Sequence, residues 1–217
     1  MAGKTGYYLA YFFLCISLML CCIAFGTGYW YEAEPTQDGT KRLFRRLGLW
    51  EACFDGYEHT SDYIGKAYYG CWWIFHKEYS YIRSWIMPPW FVAVQTFMTF
   101  ALVLEFVALG LMPSAGTERD NTRALIITCV VTFLILACTV ISVTTFGVMI
   151  GVDRTWMPRF DINRLSWSFG FAVVSGFFAA FACMSISTYA VQRRYELAAK
   201  QDFAPGRPRM MPMVPKV

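Results

Sequence analysis

Apolar residues along this chain are gathered into four long runs separated by polar stretches. Tyr7 to Gly28, Ala124 to Gly151 and Ser166 to Val191 carry no charged residue, and Trp90 to Met112 carries one, Glu105. A membrane-crossing helix needs about 20 consecutive, mostly apolar residues. The pattern therefore predicts four spans over 7–28, 90–112, 124–151 and 166–191. Lys4 is the only basic residue flanking the first run. That run also exceeds an ordinary signal core, so it reads as a retained anchor. Between the spans lie loops 29–89, 113–123 and 152–165, and a tail, 192–217, follows; four spans leave little chain over, so one bundle is expected and not two domains. The expected fold is an all-α four-helix transmembrane bundle in residues 1–191, carrying a small antiparallel β-sheet on the long loop.

Composition supports the membrane and narrows the chemistry. The 217 residues are 57% hydrophobic and 16% charged, where soluble domains average about 25% charged. The net charge of +4 belongs to the tail, which has Arg193, Arg194, Lys200, Arg207, Arg209 and Lys216 against Glu196 and Asp202. This is no argument for nucleic acid. Basic residues favour the cytoplasmic side, so both termini are expected there. The tail is expected to be disordered and drawn to the anionic leaflet of the lipid bilayer. No Ser-His-Asp set, metal-ligand spacing or phosphate loop is present. The reading is a protein without catalytic residues, metal or cofactor.

Cysteine use agrees with that orientation. Cys15, Cys21, Cys22, Cys129, Cys138 and Cys183 lie in the spans, where a small apolar packing role is expected. Only Cys53 and Cys71 lie in an aqueous loop, where an oxidising lumen would join them. Around them, Tyr29 to Glu34, Leu47 to Tyr57 and Tyr68 to Phe75 are β-prone. Two of these segments form a ribbon stapled by the disulfide. Tyr79, Ile82, Trp85 and Ile86 then follow helical spacing, predicting a short helix before Pro88 and Pro89.

Trp30 after the first span, then Gly48-Leu49-Trp50, then Cys53 and Cys71, resembles the signature of claudins and the wider claudin and peripheral myelin protein superfamily. The phrase Gly70-Cys71-Trp72-Trp73-Ile74-Phe75, with Pro88-Pro89-Trp90, looks closest to invertebrate septate-junction claudins. Arg83 matches the Arg that this family places near the second span. The resemblance implies that Trp30 and Trp50 wedge the sheet onto the outer mouth of the bundle. It also implies a structural protein of lateral cell–cell junctions in the plasma membrane of epithelium. Such a protein would assemble with itself or with other junction proteins, within one membrane and across cells, into a paracellular barrier. The alternative is an auxiliary transmembrane subunit of an ion channel or receptor. Two departures stand out. The residues between the cysteines outnumber those of the usual vertebrate hairpin, and only Val217 of the C-terminus fits a PDZ-domain ligand.

Several residues carry two readings. Trp156, Met157 and Phe160 on the short second loop are either an exposed contact to a facing cell or residues resting on headgroups. Glu105 is either a partner contact or a side chain satisfied inside the bundle, the preferred reading. In the last span, Ala172, Gly176, Ala180 and Met184 recur every four residues beside Ser175, Ala179 and Cys183. They predict a close helix seam, within the bundle before between protomers. Lys41, Arg42, Arg45 and Arg46, against Asp55, Glu58 and Asp62, are either solvated faces or complementary patches between neighbours. His59 and His76 read as surface residues.

Overall fold

A computed structural model describes residues 2–34, 43–60, 65–116 and 122–202 of the chain. Four long helices follow the four apolar runs: α1 (Ala2–Gly26), α3 (Pro89–Gly116), α4 (Thr122–Val152) and α5 (Trp167–Asp202). Each is long and apolar enough to cross a membrane. A one-turn helix, α2 (Arg83–Ile86), precedes α3. It ends there because Pro88 and Pro89 follow. Proline restricts the residue before it, yet suits the first helical position, which Pro89 occupies.

α1 begins five residues before the expected span, at Ala2, and two helices run well past their expected C-terminal ends. The second span was expected to stop before Pro113, but α3 carries that proline inside its last turn and continues to Gly116. There Tyr7 of α1 donates its hydroxyl to the Met112 carbonyl at 3.0 Å. The tail was expected to lack structure from residue 192, yet α5 continues to Asp202. Its extension holds Glu196, Leu197, Ala198 and Ala199, all strong helix formers, and no glycine or proline. The remainder of the tail, with Arg207, Arg209, Lys216 and Val217, lies outside the described residues.

On one end of the bundle sits a five-stranded antiparallel sheet, larger than the expected ribbon. Its strands are β1 (Tyr31–Ala33), β2 (Phe44–Leu47), β3 (Glu51–Glu58), β4 (Ala67–Trp73) and β5 (Asn163–Leu165), in the order β4-β3-β2-β1-β5. β3 and β4 pair in a register that sets Cys53 opposite Cys71, and the two are joined as a disulfide. The pairing shifts by one between Asp55 and Tyr57. Gly56 supplies the positive φ of 78° at this bulge, a conformation that glycine adopts without a Cβ penalty. β5 comes from the second loop and pairs with β1, Tyr31 opposite Leu165.

Candidate interaction site at the mouth of the bundle

The mouth is built around Trp30, which is fully buried. Its Nε1 donates to the Ala24 carbonyl at 2.7 Å, so the indole's one polar atom is satisfied at the end of α1. Its ring meets Phe146 of α4 and Phe169 of α5 edge-on, at 5.1 and 5.7 Å. Its backbone joins the two loops: the Trp30 amide donates to the Leu47 carbonyl, and the Ser166 amide donates to the Trp30 carbonyl.

Gly48-Leu49-Trp50 closes the same corner. A Cβ on Gly48 would stand 2.5 Å from the Gly28 Cα and 2.7 Å from the Thr27 carbonyl oxygen. Both obstacles are backbone, so only glycine fits this close approach. Leu49 is buried, and its carbonyl accepts from Gln95 Nε2 of α3 at 2.5 Å. Trp50 packs on Phe25 at 5.2 Å. Its enclosed Nε1 has no hydrogen-bond partner among the described residues, leaving the surrounding aromatic faces as weak acceptors.

Arg83 lies at the start of α2 and donates to the carbonyls of Ile74, Phe75 and His76. It caps the outgoing end of β4. Tyr79, buried beneath the sheet, donates its hydroxyl to the Ala52 carbonyl at 2.8 Å. Burial pushes its phenol well above the ordinary range, holding it as a donor. His76 is exposed, whereas His59 is half-buried, stacked on Trp85 at 4.8 Å and bonded to the Tyr57 hydroxyl.

The second loop corrects the sequence reading. Trp156 and Met157 neither face a neighbouring cell nor rest on headgroups, the two readings the sequence allows: they are only 3% and 4% exposed. Trp156 meets Trp90 edge-on at 4.5 Å and packs at a tilt on Phe91 at 5.4 Å. Its Nε1 donates to the carbonyls of Trp85 and Ile86, each at 3.2 Å. The loop folds inward because α2 leaves carbonyls at its C-terminal end and one indole N–H can reach them. Of the three, only Phe160 is exposed, at 49%.

Below β5, an open groove of about 480 Å³ is lined by Tyr31, Gly147, Ile150, Arg154, Phe160 and Leu165. Arg164 at its rim pairs with Glu32 and Glu34 across the β1–β5 junction. Of the expected basic patch, Arg46 is committed inside the protomer to Glu51 at 2.8 Å and to the Tyr29 hydroxyl. Arg45 is exposed, Lys41 and Arg42 lie outside the described residues, and so does Asp62.

Within the bundle, Glu105 is 1% exposed. The Ser17 hydroxyl lies 2.5 Å from its Oε1 and 3.0 Å from the Ser175 carbonyl, linking α1, α3 and α5. Glu105 thus faces inward, away from any outside partner. Gly176 is buried, and a Cβ there would meet Thr139 of α4 at 3.3 Å. The buried seam of α5 runs through Ala172, Ser175, Ala179 and Ala182. Ala180 is half-buried and Met184 exposed, so the expected four-residue row drifts off the contact. Gln95 and Ser17 were missed; a lone amide in an apolar run was the available signal for Gln95.

Glu51, Cys53 and Cys71 bring three ligand-type atoms together, but both sulfurs are consumed by the disulfide and offer no thiolate to a metal.

Residues 15–187 match the family model described as PMP-22/EMP/MP20/Claudin tight junction. No curated protein matches the sequence. The match runs from within α1 to within α5 and takes in α3, α4, the disulfide and both loops of the sheet. The chain therefore belongs to the PMP-22/EMP/MP20/claudin family and is a structural, tight-junction-like membrane protein.

Proposed function

We propose that this protein polymerises laterally at cell–cell contacts, with the sheet outside the cell and both termini in the cytoplasm, and limits solute passage between epithelial cells. The observation that carries this reading is the pair of unlike sheet edges. Beyond β4, on the chain leaving it, Tyr81 stands 63% exposed. At the other edge, Leu165 of β5 and the neighbouring Phe160 line a groove of mixed polarity that also carries Arg154 and Arg164. An aromatic side chain from one protomer fits such a groove on the next. Unlike patches meeting head to tail repeat into an open strand instead of closing into a dimer. Family membership supports a junctional setting, and the likeness of Gly70 to Phe75 to invertebrate relatives favours the septate type. Phe160, on the exposed tip, is the remaining candidate for contact with a facing cell, and Val217 for a scaffold.

The test is paired cysteine substitution, Tyr81→Cys with Leu165→Cys, in epithelial cells. The double variant should give an oxidation-dependent ladder of oligomers that neither single variant gives. Depletion of the protein should let a tracer dye leak between cells. Absence of the ladder, with tight epithelia on depletion, overturns the reading. A defined complex with a channel would then favour the auxiliary-subunit alternative.

A further inference from the structure

The β4 edge has an unusual composition. From Ala67 to Phe75 it carries no charged residue, although exposed sheet edges are ordinarily guarded by charge or proline against strand addition. Trp72, Trp73 and Phe75 are all exposed there, Trp73 by 60%. The charged residues stand just outside the segment: Lys66, paired with Glu78 at 2.8 Å, and the exposed Lys77.

This end of β4 is joined to the membrane-spanning part by an unbroken run of rings. Phe25, in the last turn of α1, packs on Trp50 at 5.2 Å, Trp50 stacks with Phe75 at 6.5 Å, and Phe75 meets Trp73 edge-on at 5.5 Å. The Ile74 amide donates to the Trp50 carbonyl at 2.8 Å, which fixes the strand end at the level of the helix end. Below Phe25 the same helix exposes Met19, Cys22 and Ile23, the surface a bilayer covers. Trp72 has a local partner, the Tyr69 carbonyl at 3.0 Å, and stacks on His76. Trp73 Nε1 donates to no group among the described residues.

We propose that the membrane-near end of β4 is seated in the phospholipid headgroup layer on the sheet side, with Trp72, Trp73 and Phe75 as its anchors. Indole rings favour that layer, where one end is apolar and the N–H meets an acceptor. Trp73 Nε1 donates there to a phosphate or ester oxygen. Lipid, in place of charge, then guards this half of the edge. It sets the tilt of the sheet and leaves only the Ala67–Gly70 end open to another chain.

The experiment uses the full chain labelled with 5-fluorotryptophan, one copy per phosphatidylcholine nanodisc, with the Trp72 and Trp73 fluorine signals assigned by Trp72→Phe and Trp73→Phe. The other tryptophan signals report whether each variant is folded, and buried Trp30 is the internal control. A headgroup spin label should remove most of the Trp73 signal, while a water-soluble gadolinium chelate leaves it. Loss to gadolinium with no effect of the lipid label overturns the proposal. So does a Trp73 signal protected from both only when two copies share a disc, which would make the occupant a second chain.

Discussion

The two halves of the bundle are filled in opposite ways. Next to the sheet, the core consists of large rings, Trp30, Phe91, Phe146 and Trp156 among them. Toward the other end Ala10, Ala108, Ala115, Ala179 and Ala182 alternate with aliphatic residues such as Leu14, Leu125, Ile135 and Ile186, and Tyr189 is the one buried ring of that cluster among the described residues. Small residues let helix backbones approach, which is how apolar helices hold together where lipid and helix are equally apolar. Rings instead fill the wider space where a sheet must dock on the helix ends. The mouth is stabilised by burial from water, the far half by close packing. The former tolerates no loss of volume and the latter no gain.

The largest effect expected from this contrast is at Trp156. Trp156→Ala removes a buried ring and both bonds to α2, and should cost about 3–5 kcal/mol, read as a large drop in the thermal midpoint in detergent. A cost equal to that of Phe160→Ala would show that the second loop is not part of the core. Next comes the staple: Cys53→Ser with Cys71→Ser should cost about 2–5 kcal/mol and reduce surface delivery, while the four helices persist by circular dichroism. Retention of full stability and assembly would mean that the sheet is held by the mouth alone.

At the close α4–α5 contact between the two halves the sign of the volume change reverses. Gly176→Leu drives a side chain into Thr139 and should cost about 1–3 kcal/mol through overpacking, whereas enlarging lipid-facing Phe177 to Trp should cost little. Equal effects at the two positions would dissolve the distinction. Glu105 gives a smaller test. Glu105→Gln keeps hydrogen bonding to Ser17 and should stay within about 1 kcal/mol of the parent, with Glu105→Ala costing more, about 1–2 kcal/mol. Phe160→Ala should leave the thermal midpoint nearly unchanged, because the ring is half in water. Its effect, if the proposed assembly holds, appears in oligomer ladders alone.

How far each feature could be read from the sequence follows the same division. The four helices were legible because an apolar run of membrane length has few alternatives, and their ends were not. Pro113 removes a single donor in the last turn of α3, and the helix runs three residues past what the pattern reads as a stop; the α5 extension is helical by propensity after the apolar signal stops. The disulfide was legible because only two of the cysteines lie outside the runs. Gly48 was legible as part of a signature, but its reason, the backbone of Thr27 and Gly28 in direct contact, was not. Trp156 was misread because an aromatic residue on a short loop looks the same in sequence whether it faces out or in. Only the carbonyls at the end of α2, brought beside it by folding, decide the direction.

The sequence by itself determined the spans, the paired cysteines, the β-prone first loop and the family to which they belong. These depend on residue type and on distances along the chain, which hydrophobicity and cysteine chemistry record directly. The tertiary structure alone decided that β5 crosses to β1, that Arg83 closes β4, that Ser17 links Glu105 to α5, and that Trp156 fills the mouth. All but the Arg83 contact, which reaches carbonyls 7–9 residues back along the chain, join segments brought together only once the helices have packed, and no local pattern encodes a partner that a bundle has yet to deliver.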